Sequence, residues 1–208
     1  MTTKDYLQDI SEIKNIMNKS TRFMSLSGLS GVLAGTYALV GAYIVHNLLK
    51  GYASGEGKLS ELSASNVEML MIGLGLFIAF IAALTGYILT KRKAEKNNEK
   101  MWTPASKQML MSFIVPMVTG GLFIMLLIQK GYYGLVAPST LIFYGLALYN
   151  AGKYTLSQVR YLGLLEILLG LLSLYFIYNG LLFWTIGFGV LHILYGAIMY
   201  FKLERKSH

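Results

Sequence analysis

The sequence predicts an all-α membrane protein, a polytopic bundle of six transmembrane helices preceded by a short amphipathic helix on the cytoplasmic side. Composition is the first reason: of the 208 residues, 55% are hydrophobic and only 13% are charged, about half the ~25% usual in soluble domains. The second reason is that the apolar residues gather in six continuous stretches of ~18–27 residues, near the ~20 that cross a hydrocarbon core as a helix. A soluble enzyme and a disordered tail are thereby excluded. The lack of cysteine also excludes a disulfide scaffold.

Residues 1–22 form the first predicted element, a helix on the membrane surface. Tyr6, Ile10, Ile13 and Met17 recur at steps of four, three and four, which is the spacing of one helical face. Charged residues occupy many of the other positions, a pattern typical of an amphipathic helix that lies in the interface. We interpret this helix as an anchor for the first span. A gate or a docking surface for a partner is the alternative.

The transmembrane domain is predicted to comprise residues 23–208. In lipid, each backbone N–H and C=O must be paired within its own segment, so the apolar stretches must be helices. Spans five and six are separated by little more than Asn179 and Gly180, which makes them an antiparallel hairpin. The six predicted spans cover about 23–49, 67–90, 109–129, 135–152, 161–178 and 181–201.

Positive residues are strongly biased to one side of this topology. Fifteen Lys and Arg residues lie on the side of both termini and three lie on the other side, a bias that predicts cytoplasmic termini. The net charge of +8 is therefore mainly a topology signal. The inner loop 91–107 includes the run KRKAEKNNEK; beside a span, it is expected to contact anionic lipid headgroups. No nucleic-acid partner is expected.

Small residues recur at helical spacing on several spans. Gly31 and Gly35, for example, form a GxxxG motif in span one. Such faces let helices approach closely in lipid, where the hydrophobic effect does not drive association. We interpret them as intramolecular contacts, with homo-oligomerisation as the alternative. The predicted packing glycines are Gly31, Gly35, Gly163, Gly170, Gly189 and Gly196.

Span three carries helix-breaking residues near its middle. Pro116 is followed one turn later by Gly120 and Gly121. Proline removes a helical hydrogen bond and bends the helix, so a simple kink is the main interpretation. The alternative is a broken helix that lines a substrate site, as in many transporters.

Two ionisable residues lie deep in the predicted spans. Glu166 is the one formal charge well inside a span, since Glu68 sits at the edge of span two. The helical face around Glu166 is small and polar, and His192 in span six has a similar face. At ~1.5 Å per residue, Glu166 lies ~8 Å and His192 ~14 Å from the cytoplasmic ends of their spans. The two side chains are therefore predicted to meet, with Asn150, Tyr144, Tyr149 and Tyr195 as candidate further partners.

Two interpretations of the Glu166–His192 pair remain open. In the structural one, a hydrogen bond between neutral side chains sets the helix register, a contribution of ~0.6–2 kcal/mol. In the functional one, the pair exchanges a proton near neutral pH, because burial and a neighbouring charge both act on the proton affinity of such groups. Intramembrane ionisable residues mark proton relays in many transporters. A water-filled cavity reaching Glu166 would favour transport or a ligand site, whereas a bundle closed there by leucines would argue against that hypothesis and favour an accessory role.

Two segments of the chain resemble known sequences. The stretch LIFYGLALYNAGKYTLSQVRYLGLLEILLG, with the later FWTIGFGVLHILYGAIMY, is similar to a group of uncharacterised bacterial six-span integral membrane proteins. The likeness covers most of the chain from residue 23 onward. It implies a multi-pass protein of the bacterial inner membrane with both termini in the cytoplasm, and it transfers no activity and no site.

Three function classes follow from these observations. The leading hypothesis is a small carrier or channel-like protein whose pathway runs past Glu166, His192 and Asn150. The alternative is a membrane-embedded sensor or accessory protein that docks a cytosolic partner. A membrane-embedded enzyme comes third, because intramembrane hydrolases usually bring several His and Asp or Glu residues together. No catalytic residue, metal or cofactor is expected; His46 and His192 lie at different depths, which disfavours a haem held by two histidines.

Overall fold

The computed structural model describes Ile10 and the ranges 22–54 and 62–204. Within these ranges the chain is helical and has no strand. Six helical spans are long and apolar enough to cross a membrane, which confirms the predicted fold class. The first five contain the helices α1 (Gly28–Ala53), α2 (Ala64–Lys96), α3 (Pro104–Gln129), α4 (Val136–Ala151, after a 3-10 turn at Tyr133–Leu135) and α5 (Ser157–Tyr175).

The sixth span, Ile177–Lys202, is not a uniform α-helix. π-Helical hydrogen bonds reach one residue further than α-helical ones, and such segments occur mostly as short insertions, often at functional sites. The periodicity of the sequence did not reveal the two π-helical segments of this span. In order, the span and its continuation comprise a 3-10 turn (Ile177–Asn179), α6 (Gly180–Trp184), a π-helical segment (Thr185–Leu191), α7 (His192–Met199) and a second π-helical segment (Tyr200–Glu204).

Local side chains set several helix ends. The hydroxyl of Thr103 accepts a hydrogen bond from the backbone N–H of Ser106 at 3.1 Å, and the hydroxyl of Ser106 accepts one from the N–H of Thr103 at 2.8 Å. This capping box precedes and stabilises the first turn of α3, where Pro104 is tolerated because its missing N–H would have no helical partner. After α3, Gly131 adopts a φ of +76°, a left-handed conformation that favours glycine.

Helix α1 begins at Gly28, later than the apolar stretch that starts at residue 23, because the preceding segment is held away from helical geometry. The backbone N–H of Phe23 donates to the carbonyl of Tyr154 at 2.8 Å, and the hydroxyl of Thr155 donates to the carbonyl of Phe23 at 2.7 Å. The Ser25 hydroxyl donates to the Glu99 carboxylate. These bonds attach residues 22–27 to the loops 97–103 and 152–156. We call this end of the bundle the basic end.

The helices pack in an ordered sequence across the bundle. α4 and α5 form a tight hairpin, and α3 packs against the outside of α4. On the other side, the sixth span contacts α1, and α1 is the only helix with which α2 has an extensive contact in the described part of the chain. α2 and α3 therefore lie at the periphery. A cluster of buried apolar residues at the basic end comprises Leu148, Leu156, Val159, Leu162 and Met199.

Glycines bring the backbones of the inner helices into direct contact. A Cβ on Gly35 would lie 2.6 Å from the carbonyl oxygen of Gly189, and one on Gly31 would lie 3.1 Å from Cα of Gly196. α1 and the sixth span therefore touch through the glycines that the sequence predicts as a packing face. These contacts are made within one chain.

The α4–α5 hairpin is built in the same way. A Cβ on Gly163 would lie 2.7 Å from the carbonyl oxygen of Gly145, and the reverse distance is also 2.7 Å. A Cβ on Gly170 would meet the side chain of Ile142 at 2.6 Å. Both predicted packing glycines of α5 are therefore used against α4.

α3 continues as a helix through Pro116. Since proline has no backbone N–H, it donates nothing to the carbonyl one turn earlier, at Ser112. Of the two glycines predicted to loosen this helix, Gly120 packs against Phe143, where an added Cβ would come within 2.4 Å of the ring-bearing Cβ. Gly121 has nothing within 4 Å of an added Cβ. The glycines thus point to different environments, one inside the bundle and one outside.

The predicted amphipathic helix of residues 1–22 falls almost entirely outside the described residues. Ile10 is described as helical and 61% exposed, and Arg22 begins the first described range. The last residues of the chain, 205–208, also lie outside the described ranges.

Candidate functional site

Glu166 lies on α5 inside the bundle and has no exposed surface. Its face of α5 also carries Gly163, Gly170 and Ser173, all of them buried. The sixth span comes close to the carboxyl group because it presents Gly187 there: a Cβ on Gly187 would lie 2.5 Å from Oε2 of Glu166. The small residues therefore make room for one carboxyl group between two tightly packed helices.

His192 lies next to Glu166, directly after the first π-helical segment. Its Nδ1 is 3.0 Å from the carbonyl oxygen of Gly187 and 3.4 Å from Oε1 of Glu166. A carbonyl oxygen only accepts hydrogen bonds, so the contact with Gly187 assigns a proton to Nδ1. The structure thus brings together the two side chains that the sequence predicts as neighbours, while the Nδ1–H itself is donated to the Gly187 carbonyl.

Tyr144 extends this arrangement on the other side of the imidazole. Its hydroxyl oxygen lies 2.7 Å from Nε2 of His192. In the neutral ring with a proton on Nδ1, Nε2 is an acceptor, so the tyrosine hydroxyl donates. Tyr144, His192 and Glu166 therefore lie next to one another in a row, which we call the Tyr–His–Glu chain.

The carboxyl group of Glu166 is incompletely satisfied. Neither of its oxygens has a hydrogen-bond partner within the described ranges, and the same is true of the fully buried hydroxyl of Ser173 two turns further along α5. Nδ1 of His192 lies 3.4 Å from Oε1 of Glu166, which is close enough for an ion pair. The imidazole carries a charge only when the ring is protonated. Leaving a buried polar group unpaired costs ~1–3 kcal/mol, and more for a charge. If the only role of Glu166 were to link helices through hydrogen bonds, its carboxyl group would be poorly placed.

Aromatic rings pack around the Tyr–His–Glu chain and hold its side chains in position. The Phe188 ring stacks on His192 with an angle of 12° and a centroid distance of 5.9 Å, and it lies 4.9 Å from the Tyr144 ring. Trp184 contacts Phe188, and Phe113 of α3 meets Tyr144 edge-on at 6.0 Å. The sequence analysis does not include these residues in the site. Their spacing is the signal that could have identified them, since Trp184 and Phe188 precede His192 by eight and four positions on one helical face.

The other predicted partners lie elsewhere. The side-chain oxygen of Asn150 accepts a hydrogen bond from Nζ of Lys153 at 3.1 Å. The hydroxyl of Tyr149 accepts one from the Arg160 guanidinium at 2.7 Å, and this guanidinium also lies over the tyrosine ring. Tyr195 packs against the apolar cluster of the basic end. Of the four candidates, the structure therefore brings only Tyr144 to the imidazole.

The Tyr–His–Glu chain is closed to its surroundings in this conformation. Glu166 is fully buried, His192 is 6% exposed, and Leu141 is fully buried near them, since a Cβ added to Gly187 would lie 2.5 Å from both Oε2 of Glu166 and a Cδ atom of Leu141. Two grooves on the described surface are lined by other residues, one at the basic end of α3 and one along Leu194–Lys202. In the described ranges no group of three His, Asp or Glu residues is suited to hold a metal ion. Each of the three side chains of the Tyr–His–Glu chain is a type that can bind or release a proton.

No known family, no curated protein and no solved structure matches this chain. The resemblance to a bacterial group therefore rests on the two quoted segments alone. The helices themselves define the class: this is a multi-pass membrane protein with six spans and a buried carboxyl group at its centre.

Proposed function

We propose that this protein is a small proton-coupled carrier of the bacterial inner membrane, with cytoplasmic termini and with the Tyr–His–Glu chain as its proton-binding site. The observation that carries the proposal is the state of Glu166: a fully buried carboxyl group that has no hydrogen-bond partner among the described residues, with Nδ1 of His192 3.4 Å from its Oε1. An unpaired buried acid is a poor structural link. A group that must bind and release a proton needs a partner that is near but not permanently engaged.

In the proposed mechanism a proton moves through the imidazole. A proton that reaches Nε2 turns the ring into an imidazolium, and the hydroxyl of Tyr144 rotates from donor to acceptor. The Nδ1 proton, which the Gly187 carbonyl accepts in this conformation, then passes to Oε1 of an ionised Glu166, and this transfer leaves a neutral ring and a neutral carboxyl group. The ring is then in its other tautomer, and a return to the first one resets the chain. No atom other than hydrogen changes its bonds.

The closed site counts against a permanently open pathway past Glu166, so we take this conformation as the occluded state of a carrier. Opening requires the sixth span to move relative to α1 or α5. The π-helical segment Thr185–Leu191 supports this assignment, because π-helical turns are local departures from the α-helix that recur at functional sites. It contains Gly187 and Gly189, the residues that contact α5 and α1 most closely. A small conformational change in this π-helical segment would therefore alter the contacts of the sixth span with both α5 and α1.

Infrared difference spectroscopy on the purified protein tests the proposal without a known substrate. A pH step should change the C=O stretching band of a protonated carboxyl group in the natural protein, and Glu166→Gln should abolish that change. Glu68→Gln is the matched control, because Glu68 lies near the start of α2 and outside the Tyr–His–Glu chain. An identical response in the natural protein and in Glu166→Gln would refute the proposed proton site.

Vesicle flux is the complementary measurement. Protein in liposomes that enclose a pH-sensitive dye should admit protons under an imposed membrane potential, and Glu166→Gln should reduce the rate at least tenfold. Equal rates in both, or none above empty liposomes at any potential, would contradict a carrier. The folded state of each variant is checked by size-exclusion chromatography and by the fluorescence of Trp102 and Trp184.

A sensor or accessory protein is the second candidate, and the closed site is the observation that favours it. The attachment of residues 22–27 to the loops of the basic end also gives the N-terminal region a defined exit from the bundle. A photo-crosslinker at Ile10, which is exposed, should then capture one cytosolic protein in cells. Glu166→Gln should leave that capture unchanged if the partner docks independently of the proton site.

A further inference from the structure

A groove runs along the outside of the bundle at its basic end, between α3 and α4. Its volume is about 720 Å³. We call its lining residues Lys107, Gln108 and Asn150 the rim and Met111, Val115 and Pro116 the floor; the groove does not include the Tyr–His–Glu chain. The groove is lined by Pro104, Lys107, Gln108, Met111, Ser112, Val115, Pro116 and Asn150.

The rim carries positive charge. Lys107 lines the groove directly. Lys153 adds a second ammonium group, because its Nζ lies 3.1 Å from the side-chain oxygen of Asn150, which is itself a lining residue. None of the lining residues in the described ranges is acidic. The rim therefore complements an anionic group at the level where the basic loop meets the membrane surface.

The floor extends into the membrane. From Pro104 to Pro116 the groove follows α3 for about 18 Å at ~1.5 Å per residue, roughly half of the bilayer core and part of the headgroup region. Met111 and Val115 are 61% and 59% exposed along it. A soluble anion would leave this apolar floor uncovered, and a cytosolic peptide would have to enter the hydrocarbon core.

We propose that this groove is a binding site for an anionic phospholipid of the leaflet that faces the basic loop. The phosphate lies between Lys107 and Lys153, and one acyl chain lies along Met111, Val115 and Pro116. The sequence predicts lipid contact for the loop 91–107 in general; the groove assigns it to one place on α3 and α4. The inference is independent of the proposed carrier function, because none of the residues in this site belongs to the Tyr–His–Glu chain.

Native mass spectrometry of the purified full chain tests this site, with phosphatidylglycerol and phosphatidylcholine of identical acyl chains as probes. Phosphatidylglycerol should bind more tightly. The double variant Lys107→Gln/Lys153→Gln should weaken its binding roughly 10- to 30-fold and leave phosphatidylcholine unchanged, since each lysine near a membrane surface contributes about fivefold. Equal affinity of the two lipids for the natural protein would overturn the proposal.

The matched control removes the same charge elsewhere in the basic region. Lys91→Gln/Lys100→Gln should bind phosphatidylglycerol like the natural protein, because both lysines are exposed and neither lines the groove. An equal loss in both double variants would show that net charge alone attracts the lipid, and this result would reject the site.

A third variant tests the floor without changing charge. Val115→Trp fills the groove with a larger apolar side chain on a lipid-facing position, and it should reduce the number of tightly bound phosphatidylglycerol molecules by one. Retention of full binding would place the acyl chain elsewhere and contradict the proposal. Thermal unfolding should show the same pattern, because a ligand that binds only the folded state raises its melting temperature.

Discussion

The peripheral helices α2 and α3 and the inner hairpin of α4 and α5 differ in hydropathy and in burial, and the more apolar helices are the less buried ones. α2 and α3 are the most apolar of the six spans, yet only 6% and 11% of the residues in their most apolar windows are buried within the protein. The spans of α4 and α5 are the least apolar, and there the buried shares are 39% and 33%. In a soluble protein, the most apolar segments would be expected at the centre.

The reversal has a physical reason. Lipid tails are as apolar as leucine, so burying a leucine among other helices yields little compared with leaving it in the bilayer. Burying glycine or a polar side chain between helices is more favourable, because glycine allows close van der Waals contact and a polar group avoids hydrocarbon. Low hydropathy within a span therefore marks the centre of this bundle, where Gly163 and Glu166 lie.

The largest expected effect is a loss of stability when a glycine of the inner hairpin is replaced. Gly163→Leu places a side chain against the backbone of α4, where even a Cβ would lie 2.6 Å from the amide nitrogen of Tyr149. Backbone cannot rearrange cheaply, so we expect loss of at least ~3 kcal/mol of stability and little folded protein. Yield and thermal unfolding after purification measure the effect.

Gly121→Leu is the control for this prediction. Gly121 lies on α3 and has nothing within 4 Å of an added Cβ, so its replacement should leave stability unchanged or raise it slightly, since leucine favours helix more than glycine does. Equal destabilisation by the two substitutions would remove the distinction between inner and peripheral helices.

An intermediate effect is expected for Tyr144→Phe, which removes the hydroxyl that bonds to Nε2 of His192. Interhelical hydrogen bonds of this kind contribute ~0.6–2 kcal/mol, so stability should fall within that range. Proton uptake should slow at the same time, because the outer end of the Tyr–His–Glu chain is missing. Tyr87→Phe on α2, where the ring is half-exposed, should change neither stability nor uptake. Unaltered stability in Tyr144→Phe would argue against the hydrogen bond.

The smallest effect concerns two fully buried hydroxyls. Thr155 donates to the carbonyl of Phe23, whereas Ser173 has no partner in the described part of the chain. Thr155→Val should therefore cost ~1 kcal/mol. Ser173→Ala should be neutral or stabilising by up to about 1 kcal/mol, since it removes an unsatisfied group. Unfolding of both variants in the same detergent distinguishes them, and a loss in Ser173→Ala equal to that in Thr155→Val would reveal a partner for the serine.

Much of the architecture was predictable from local pattern. The spans appear as uninterrupted apolar runs, and the close approach of Glu166 and His192 follows from one small-residue face on each of two helices joined by a short turn. The packing role of Gly31, Gly35, Gly189 and Gly196 was predictable for the same reason. Their mutual pairing within one chain was an interpretation that the structure supports through distances of 2.6–3.1 Å.

The identity of the third partner was not predictable from pattern. Tyr144 and Tyr149 are five residues apart on α4, so at ~100° per residue they point in directions that differ by ~140°. Only the rotation of α4 about its axis decides which of them meets His192, and that rotation depends on glycine contacts with α5. The π-helical segment before His192 was not predicted either, because a change from α-helical to π-helical hydrogen bonds does not alter the spacing of apolar residues in the sequence.

The sequence by itself determined that this chain crosses a membrane six times with an acid inside, because hydrocarbon cannot satisfy backbone polar groups and an apolar run has no other stable conformation there. It also determined which faces are small enough to touch. The tertiary structure alone decided that Tyr144 completes the Tyr–His–Glu chain, that Glu166 is enclosed without a hydrogen-bond partner among the described residues, and that Asn150 lines a groove on the surface. These outcomes depend on the rotation and depth of whole helices, which are set by the sum of many contacts between distant segments.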